Sequence, residues 1–194
     1  MDWLTLFEMQ EQLDKRIQSE HQLTGNQFDE RLLALLVELG ELANETRCFK
    51  FWSKKGPSAQ VTILEEYVDG VHFLLSLGLA LEYKKSHFTE GDFYLTATDA
   101  FLDVYNKTNV FAISRTEQSY DVLIGAYLAL GATLGFTQDM IFKAYISKNE
   151  ANHVRQDNGY LRRKSDERTI TYAKTSHGRN RCTGKRKRSP EPHA

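Results

Sequence analysis

The sequence has 194 residues, is 41% hydrophobic and contains no run of about 18 apolar residues, so one domain can bury a core and no membrane span is expected. Its net charge of −1 combines residues 1–159, at −9 (14 Lys and Arg against 23 Asp and Glu), with residues 160–194, at +8 (11 against 3). An acidic body of this kind repels nucleic acid unless bound cations cancel part of its charge.

Hydrophobic residues recur with a helical period through the first half of the chain and predict three helices. The first covers roughly residues 2–20 and is followed by a break, after which Asn26 is a candidate cap. The second covers roughly residues 28–47 and carries six leucines on a wide apolar face. The third covers roughly residues 60–84 and is apolar nearly all round in its C-terminal half, so we expect it to lie at the centre.

Three further helices are predicted, roughly at residues 91–107, 117–133 and 138–153. Gly135 separates the last two, and Thr137 is a candidate cap for the final helix. Because strand alternation is weak throughout, the predicted fold class is an all-α bundle of five to seven helices.

The apolar periodicity stops near Lys164, which predicts an all-α domain over residues 1–164 and a disordered basic tail over residues 165–194. Within the tail, Lys185–Arg188 resembles a nuclear-localisation patch or a nucleic-acid-binding arm. A solvated tail without such a role is the alternative.

Two features favour an intracellular location. The start of the chain, Met1–Leu4, lacks the basic and apolar regions of a signal peptide, and Cys48 and Cys182 do not form a disulfide framework. We therefore expect a cytoplasmic protein, or a nuclear one if a eukaryotic host recognises the basic patch of the tail as a localisation signal.

Acidic side chains recur at helical spacing inside two leucine-rich segments. Glu38, Glu41 and Glu45 lie at i, i+3 and i+7 of the second helix. Glu66 and Asp69 repeat the i, i+3 spacing on the third. Like charges at this spacing repel one another, and neither helix offers a matching row of Lys or Arg. A divalent cation bound by oxygen ligands would remove the conflict, and a solvated helix face is the alternative.

The chemistry that such a cluster indicates is hydrolysis of a phosphoanhydride. Two or more Mg²⁺ ions, or Mn²⁺ in their place, would bridge phosphate oxygens, neutralise developing charge and lower the pKa of a water molecule. A carboxylate of the cluster could orient or deprotonate that water.

Five segments together resemble the dimeric dUTPases. These are Leu6–Asp14, Glu38–Glu45, Lys50–Trp52, Glu66–Phe73 and Lys148–Tyr160, and they span most of the chain. The dimeric dUTPases belong to the all-α nucleoside triphosphate pyrophosphatase superfamily, with the MazG-like enzymes. The carboxylate pairs are typical of the whole superfamily, whereas the other segments point to dUTPase.

The resemblance implies a role for each matching residue. It implies metal ligation by Glu38, Glu41, Glu66 and Asp69. Glu38 is also implied as the catalytic group that activates the attacking water. The resemblance further implies a uracil and deoxyribose pocket lined by Gln10, Trp52, His72 and Asn152. The phosphates would be held by Lys148, Arg155 and Tyr160, with Lys50 or Lys54 assisting.

The same resemblance implies a homodimer that cleaves dUTP to dUMP and pyrophosphate, with dUDP as a further substrate. Taken without it, His72 is as readily a core histidine and Trp52 a rim aromatic, and the phosphate-binding set could be solvated residues near a helix end. The chain also departs from the pattern. Phe51 interrupts a stretch that is richer in tryptophan in some relatives, and Asp14 stands where some carry asparagine, so we leave Asp14 out of the base contacts.

Three other functions are weighed against this one. A MazG-like enzyme would cleave another nucleoside triphosphate with the same carboxylates. A non-hydrolytic di-iron bundle would need two Glu-x-x-His motifs, and Glu150 with His153 supplies only one. A nucleic-acid-binding module would act through the basic tail.

Overall fold

A computed structural model describes residues 1–157, where six helices and no strand form the regular secondary structure. The helices are α1 (Trp3–Glu20), α2 (Phe28–Thr46), α3 (Gln60–Ala80), α4 (Ala97–Ser114), α5 (Glu117–Thr133) and α6 (Gln138–Asp157). The all-α prediction is confirmed. The predicted boundary at residue 164 and the predicted disordered tail lie outside the described residues.

The bounds of α4 differ most from those predicted. The helix begins at Ala97 rather than near residue 91, because the Thr96 side chain accepts a hydrogen bond from Asp99 N at 3.1 Å and caps it. It ends at Ser114 rather than near residue 107, and Arg115 follows in the left-handed conformation. The prediction was wrong at both ends because capping is set by single side chains, whereas hydrophobic periodicity gives only the approximate position.

Two predicted caps can be compared with the structure. Thr137 Oγ1 accepts a hydrogen bond from Met140 N at 3.3 Å, as predicted for the start of α6. Asn26 Oδ1 accepts from Phe28 N at 3.2 Å, although the residue at the cap position of α2 is Gln27. Gly135 adopts φ +85°, which glycine tolerates at the end of α5.

The central position predicted for the third helix is confirmed. α3 packs against α1, α2, α5 and α6, and eleven of its residues are buried. Glu66 and Asp69 stay partly exposed on α3. No single helix in residues 1–157 is long and apolar enough to cross a membrane, and α5 with α6 passes that test only as a pair bent by 104°.

Two tyrosines join α3 to α5 with hydrogen bonds in both directions. Tyr67 Oη donates to Tyr127 O at 2.9 Å, and Tyr127 Oη donates to Tyr67 O at 2.8 Å. The helices approach closely enough for this only because glycine lies opposite each ring. A Cβ added to Gly131 would lie 2.6 Å from Tyr67 Oη and 2.7 Å from its Cζ. This packing fixes the rotation of α3 about its own axis, and with it the direction of the polar residues on α3.

We expect Gly131→Ala to lower the free energy of unfolding by about 1–3 kcal/mol, since the new methyl group must displace the buried Tyr67 ring. Gly40→Ala is the control, because a Cβ there meets Tyr105 Oη at an ordinary 3.6 Å. It should raise the free energy of unfolding by about 0.5–1 kcal/mol through helix propensity. Urea unfolding followed by circular dichroism measures both. Equal effects of the two substitutions would contradict the close approach of α3 and α5.

Candidate active site

Three carboxylates from α2 and α3 converge on one point. One oxygen each from Glu38, Glu66 and Asp69 can be chosen so that all three lie within 4.8 Å of one another. The convergence follows from the packing of α2 on α3. The leucine face of α2 is turned into the core, so Glu38 at its margin comes next to the exposed edge of α3.

The surroundings of these carboxylates favour the protonated forms. Partial burial, together with the charges of nearby carboxylates, raises the pKa of Glu38 to about 7; these carboxylates are Asp69, Glu41 and Glu66. Burial also raises the pKa of Glu66 and of Asp69. A cluster in which each carboxylate opposes the ionisation of the next is chemically suited to a divalent cation, which would offset the repulsion.

Glu41 lies outside this close group of three and is exposed. Its charge still contributes to the raised pKa of both Glu38 and Glu66, which places its carboxylate near the cluster. Its role as a metal ligand stays a prediction.

Lys148 from α6 brings a positive charge next to the carboxylates of α3. Its Nζ donates to Asp69 Oδ2 at 2.7 Å and to Glu65 Oε1 at 2.9 Å, and the side chain is only 12% exposed. The ammonium lowers the pKa of Asp69, although burial outweighs this effect. Lys148 therefore lies beside the carboxylate cluster, where it could also meet a phosphate group, and its predicted role as a phosphate ligand stays a prediction.

A cavity of about 650 Å³ adjoins the cluster between α1, α2, α3 and α6. Glu38 and Asp69 line it. So do four of the residues predicted to bind nucleotide: Gln10, His72, Asn152 and Arg155. The structure thus brings the predicted metal ligands and much of the predicted nucleotide pocket to one cavity.

Three other predicted residues do not line this cavity. Lys50, Trp52 and Lys54 lie in the loop that joins α2 to α3. Trp52 is 66% exposed there, and its ring meets that of Phe51 edge-on with centroids 5.0 Å apart. Tyr160 lies outside the described residues. The roles predicted for these four residues stay predictions.

His72 is buried in the wall of the cavity and is uncharged at neutral pH. Its ring stacks on that of Tyr145 with centroids 4.2 Å apart, and its Nδ1 lies 2.7 Å from Gln10 Oε1. Burial, together with the charge of Lys148, lowers the pKa of His72 to about 3. The ring can therefore offer one donor and one acceptor but no positive charge.

Four residues without a role in the sequence analysis complete this part of the site. Asp14, Arg31 and Ser76 also line the cavity, and Tyr145 stacks on His72. The spacing of Gln10 and Asp14 places both on one face of α1, and this could have suggested that they interact. Nothing in the sequence pairs Arg31 with Asp14, because the contact joins two different helices.

Comparison with models of protein families finds a match over most of the chain. A model of the dUTPase family matches residues 2–160, which include all six helices. No curated protein matches the chain.

The raised pKa of Glu38 predicts how stability depends on pH. Folding raises this pKa from 4.5 to about 7, so the stability that Glu38 contributes is complete below pH 4.5 and is lost as the pH rises through 7. In metal-free buffer we expect Glu38→Gln to unfold at a higher temperature than wild type at about pH 7.5, with a smaller gap at about pH 5. Glu45→Gln, outside the group of three, should show no such gap. A difference that does not grow with pH would contradict the electrostatic conflict at Glu38.

Proposed function

The chain belongs to the all-α dimeric dUTPase family and is a dUTP diphosphatase, and we propose that its hydrolysis of dUTP to dUMP and pyrophosphate requires Mg²⁺. The observation that carries the metal requirement is the convergence of Glu38, Glu66 and Asp69 oxygens within 4.8 Å. Mg²⁺ is a hard cation that takes carboxylate oxygens and keeps phosphate oxygens as further ligands.

The donor set fits such an ion. All three groups are carboxylates, and the pKa of each is raised, so the protein leaves their negative charge incompletely compensated. Glu41 would join them if two or more ions bind, since its charge already acts on Glu38 and Glu66. Bound magnesium would supply positive charge that offsets the charge developing on the phosphate oxygens.

Glu38 is proposed as the general base. A pKa of about 7 is close to the operating pH, so Glu38 can hold a proton and release it there. Ionised Glu38 would take a proton from the attacking water as its oxygen forms a bond to the α-phosphorus. The bond from that phosphorus to the bridging oxygen then breaks, which releases pyrophosphate from dUTP and would release phosphate from dUDP.

Basic residues of α6 are proposed to bind the phosphates. Arg155 lines the cavity and can hold two phosphate oxygens at once through its guanidinium group. Lys148 is already held beside Asp69, so its ammonium is within reach of a phosphate at the carboxylates.

Base selectivity is the point on which the MazG-like alternative differs. Gln10, His72 and Asn152 place polar groups on the cavity wall, and paired contacts of this type are what allow a site to reject the wrong base. We propose that these residues read uracil. Ratios of kcat/KM for dUTP, dCTP, dTTP and dATP would separate the two functions.

We expect Glu38→Gln to lower kcat for dUTP by about 10²–10⁴-fold at saturating Mg²⁺, the range for loss of a general base. Asp69→Asn should lose turnover through weaker metal binding, and excess Mg²⁺ should restore part of it. Pyrophosphate release with and without Mg²⁺ measures both effects, and circular dichroism shows whether the helices remain. Glu45→Gln is the matched control on the same helix. A Glu38→Gln variant that turns over at the wild-type rate would contradict the role of Glu38.

The homodimer is also a proposal, supported by apolar residues left exposed on α4. Leu102, Val110 and Ile113 share one side of that helix, and Ile113 is 87% exposed. Exposed apolar side chains grouped in this way are typical of surfaces that bind another protein. We propose that a second copy of the chain covers this side of α4.

We expect Ile113→Lys to shift the protein from dimer to monomer at micromolar concentration, because a charge would be buried in the interface. Val61→Lys is the control, since Val61 is also exposed but lies in the first turn of a different helix, α3. Light scattering after size-exclusion chromatography gives the mass of each. Monomeric wild-type protein, or an Ile113→Lys dimer of unchanged affinity, would refute this assignment of the interface.

A further inference from the structure

A largely buried ion pair lines the nucleotide cavity, and the proposed function does not use it. Arg31 Nη2 lies 3.3 Å from Asp14 Oδ2, and both side chains are largely closed to solvent. Arg31 Nη1 also donates to Ser76 O at 3.1 Å. The other carboxylate oxygen, Asp14 Oδ1, accepts from Gln10 Nε2 at 2.8 Å and from Ser76 Oγ at 2.9 Å.

The negative charge of Asp14 fixes the orientation of the Gln10 amide. If that amide were reversed, its oxygen would face a carboxylate oxygen at hydrogen-bond distance, and two acceptors would repel each other. Burial has the largest effect and leaves the pKa of Asp14 raised, while the charge of Arg31 and the hydrogen bonds from Gln10 and Ser76 oppose that shift. Arg31 is therefore the charge that favours ionised Asp14.

The orientation of Gln10 in turn fixes the hydrogen on His72. With its nitrogen turned to Asp14, Gln10 presents Oε1 to His72 Nδ1 and to Tyr145 Oη, each at 2.7 Å. A carbonyl oxygen only accepts, so His72 Nδ1 must carry the hydrogen. Nε2 of the neutral ring is then an acceptor, and it finds no hydrogen-bond partner among residues 1–157. His72 lines the cavity, so this acceptor is available to a ligand bound there.

We propose that Asp14 and Arg31 are positioning residues that fix the Nδ1–H tautomer of His72, so that Nε2 selects a nucleobase with a hydrogen-bond donor at its ring nitrogen. This inference rests on the proposed function and deepens it by naming the group that is read. Uracil carries a hydrogen on N3 and donates there, whereas N3 of cytosine is an acceptor.

The fixed tautomer favours the base over the sugar as the group that is read. A sugar hydroxyl can rotate to donate or to accept, so either tautomer of His72 would serve it. A ring N–H of a base can only donate. An acceptor that is fixed before the ligand binds therefore distinguishes a base with a ring N–H from a base with an acceptor at that nitrogen. A cytosine nucleotide would set two acceptors against each other in a buried site, which costs more than the loss of one hydrogen bond.

The tautomer can be observed directly in the free protein. Long-range ¹⁵N–¹H correlation spectra of histidine-labelled protein distinguish Nδ1–H from Nε2–H, and His72→Gln assigns the signal. We expect Nδ1–H in wild type, and a rise in the Nε2–H form in both Asp14→Asn and Arg31→Gln. Glu11→Gln is the matched control, because it also removes one acidic charge from α1 but pairs with Lys15 and Lys84 at the surface.

Kinetics test whether the tautomer sets selectivity. The ratio of kcat/KM for dUTP to that for dCTP should fall by about 10–100-fold in Asp14→Asn, the range for one buried selective contact, and stay at the wild-type value in Glu11→Gln. The loss of selectivity should appear mainly as a higher rate for dCTP relative to the rate for dUTP. A general loss of structure would lower both rates together.

Each result decides one step. Wild-type His72 in the Nε2–H or doubly protonated form at neutral pH would overturn the proposal without any variant. A tautomer that shifts while the dUTP to dCTP ratio stays constant would overturn the selection by His72. If wild-type protein hydrolysed no nucleotide, the proposed function would fail, and the spectra of the free protein would still decide whether Asp14 fixes the tautomer.

Discussion

The site depends on one electrostatic constraint, which is that three carboxylates are held close together by helices packed for other reasons. The leucine face of α2 and the tyrosine and glycine contacts between α3 and α5 determine where Glu38, Glu66 and Asp69 lie. Their mutual repulsion is small beside the hydrophobic free energy of that packing, so the fold can hold them together. The repulsion is then available to favour a cation, since the binding of the ion removes it.

Two partly buried acidic groups in this protein differ in their neighbours, although burial raises the pKa of both. Asp14 has Arg31, Gln10 and Ser76 as partners, so its charge is compensated within the protein. Glu38 has other carboxylates as neighbours, and burial together with their charges raises its pKa to about 7. A charge with internal partners can fix the geometry of the residues around it, whereas a charge without them needs a ligand. This difference separates a positioning role from a catalytic one.

Much of the fold could be predicted from sequence because the information is local. Leucine spacing located α2 closely, and the i, i+3 spacing of the acids placed them on one side of each helix. The bounds of α4 were missed because Thr96 fixes its start through a single hydrogen bond. The contact of Lys148 with Asp69 and that of Arg31 with Asp14 could not be predicted, since each joins residues on different helices and depends on how those helices rotate against each other.

α3 couples the two ends of the proposed substrate. Asp69 and His72 are three residues apart on this helix, which is about one turn, or roughly 4.5 Å along its axis. The group proposed to bind metal and the group proposed to read the base are therefore fixed to each other by the helix backbone. A base that is held away from His72 would also displace its phosphates relative to Asp69 and Glu38. Discrimination between uracil and other bases would then act on the chemical step as well as on binding. A small displacement of the reacting phosphorus from the water that Glu38 activates lowers the rate by a large factor.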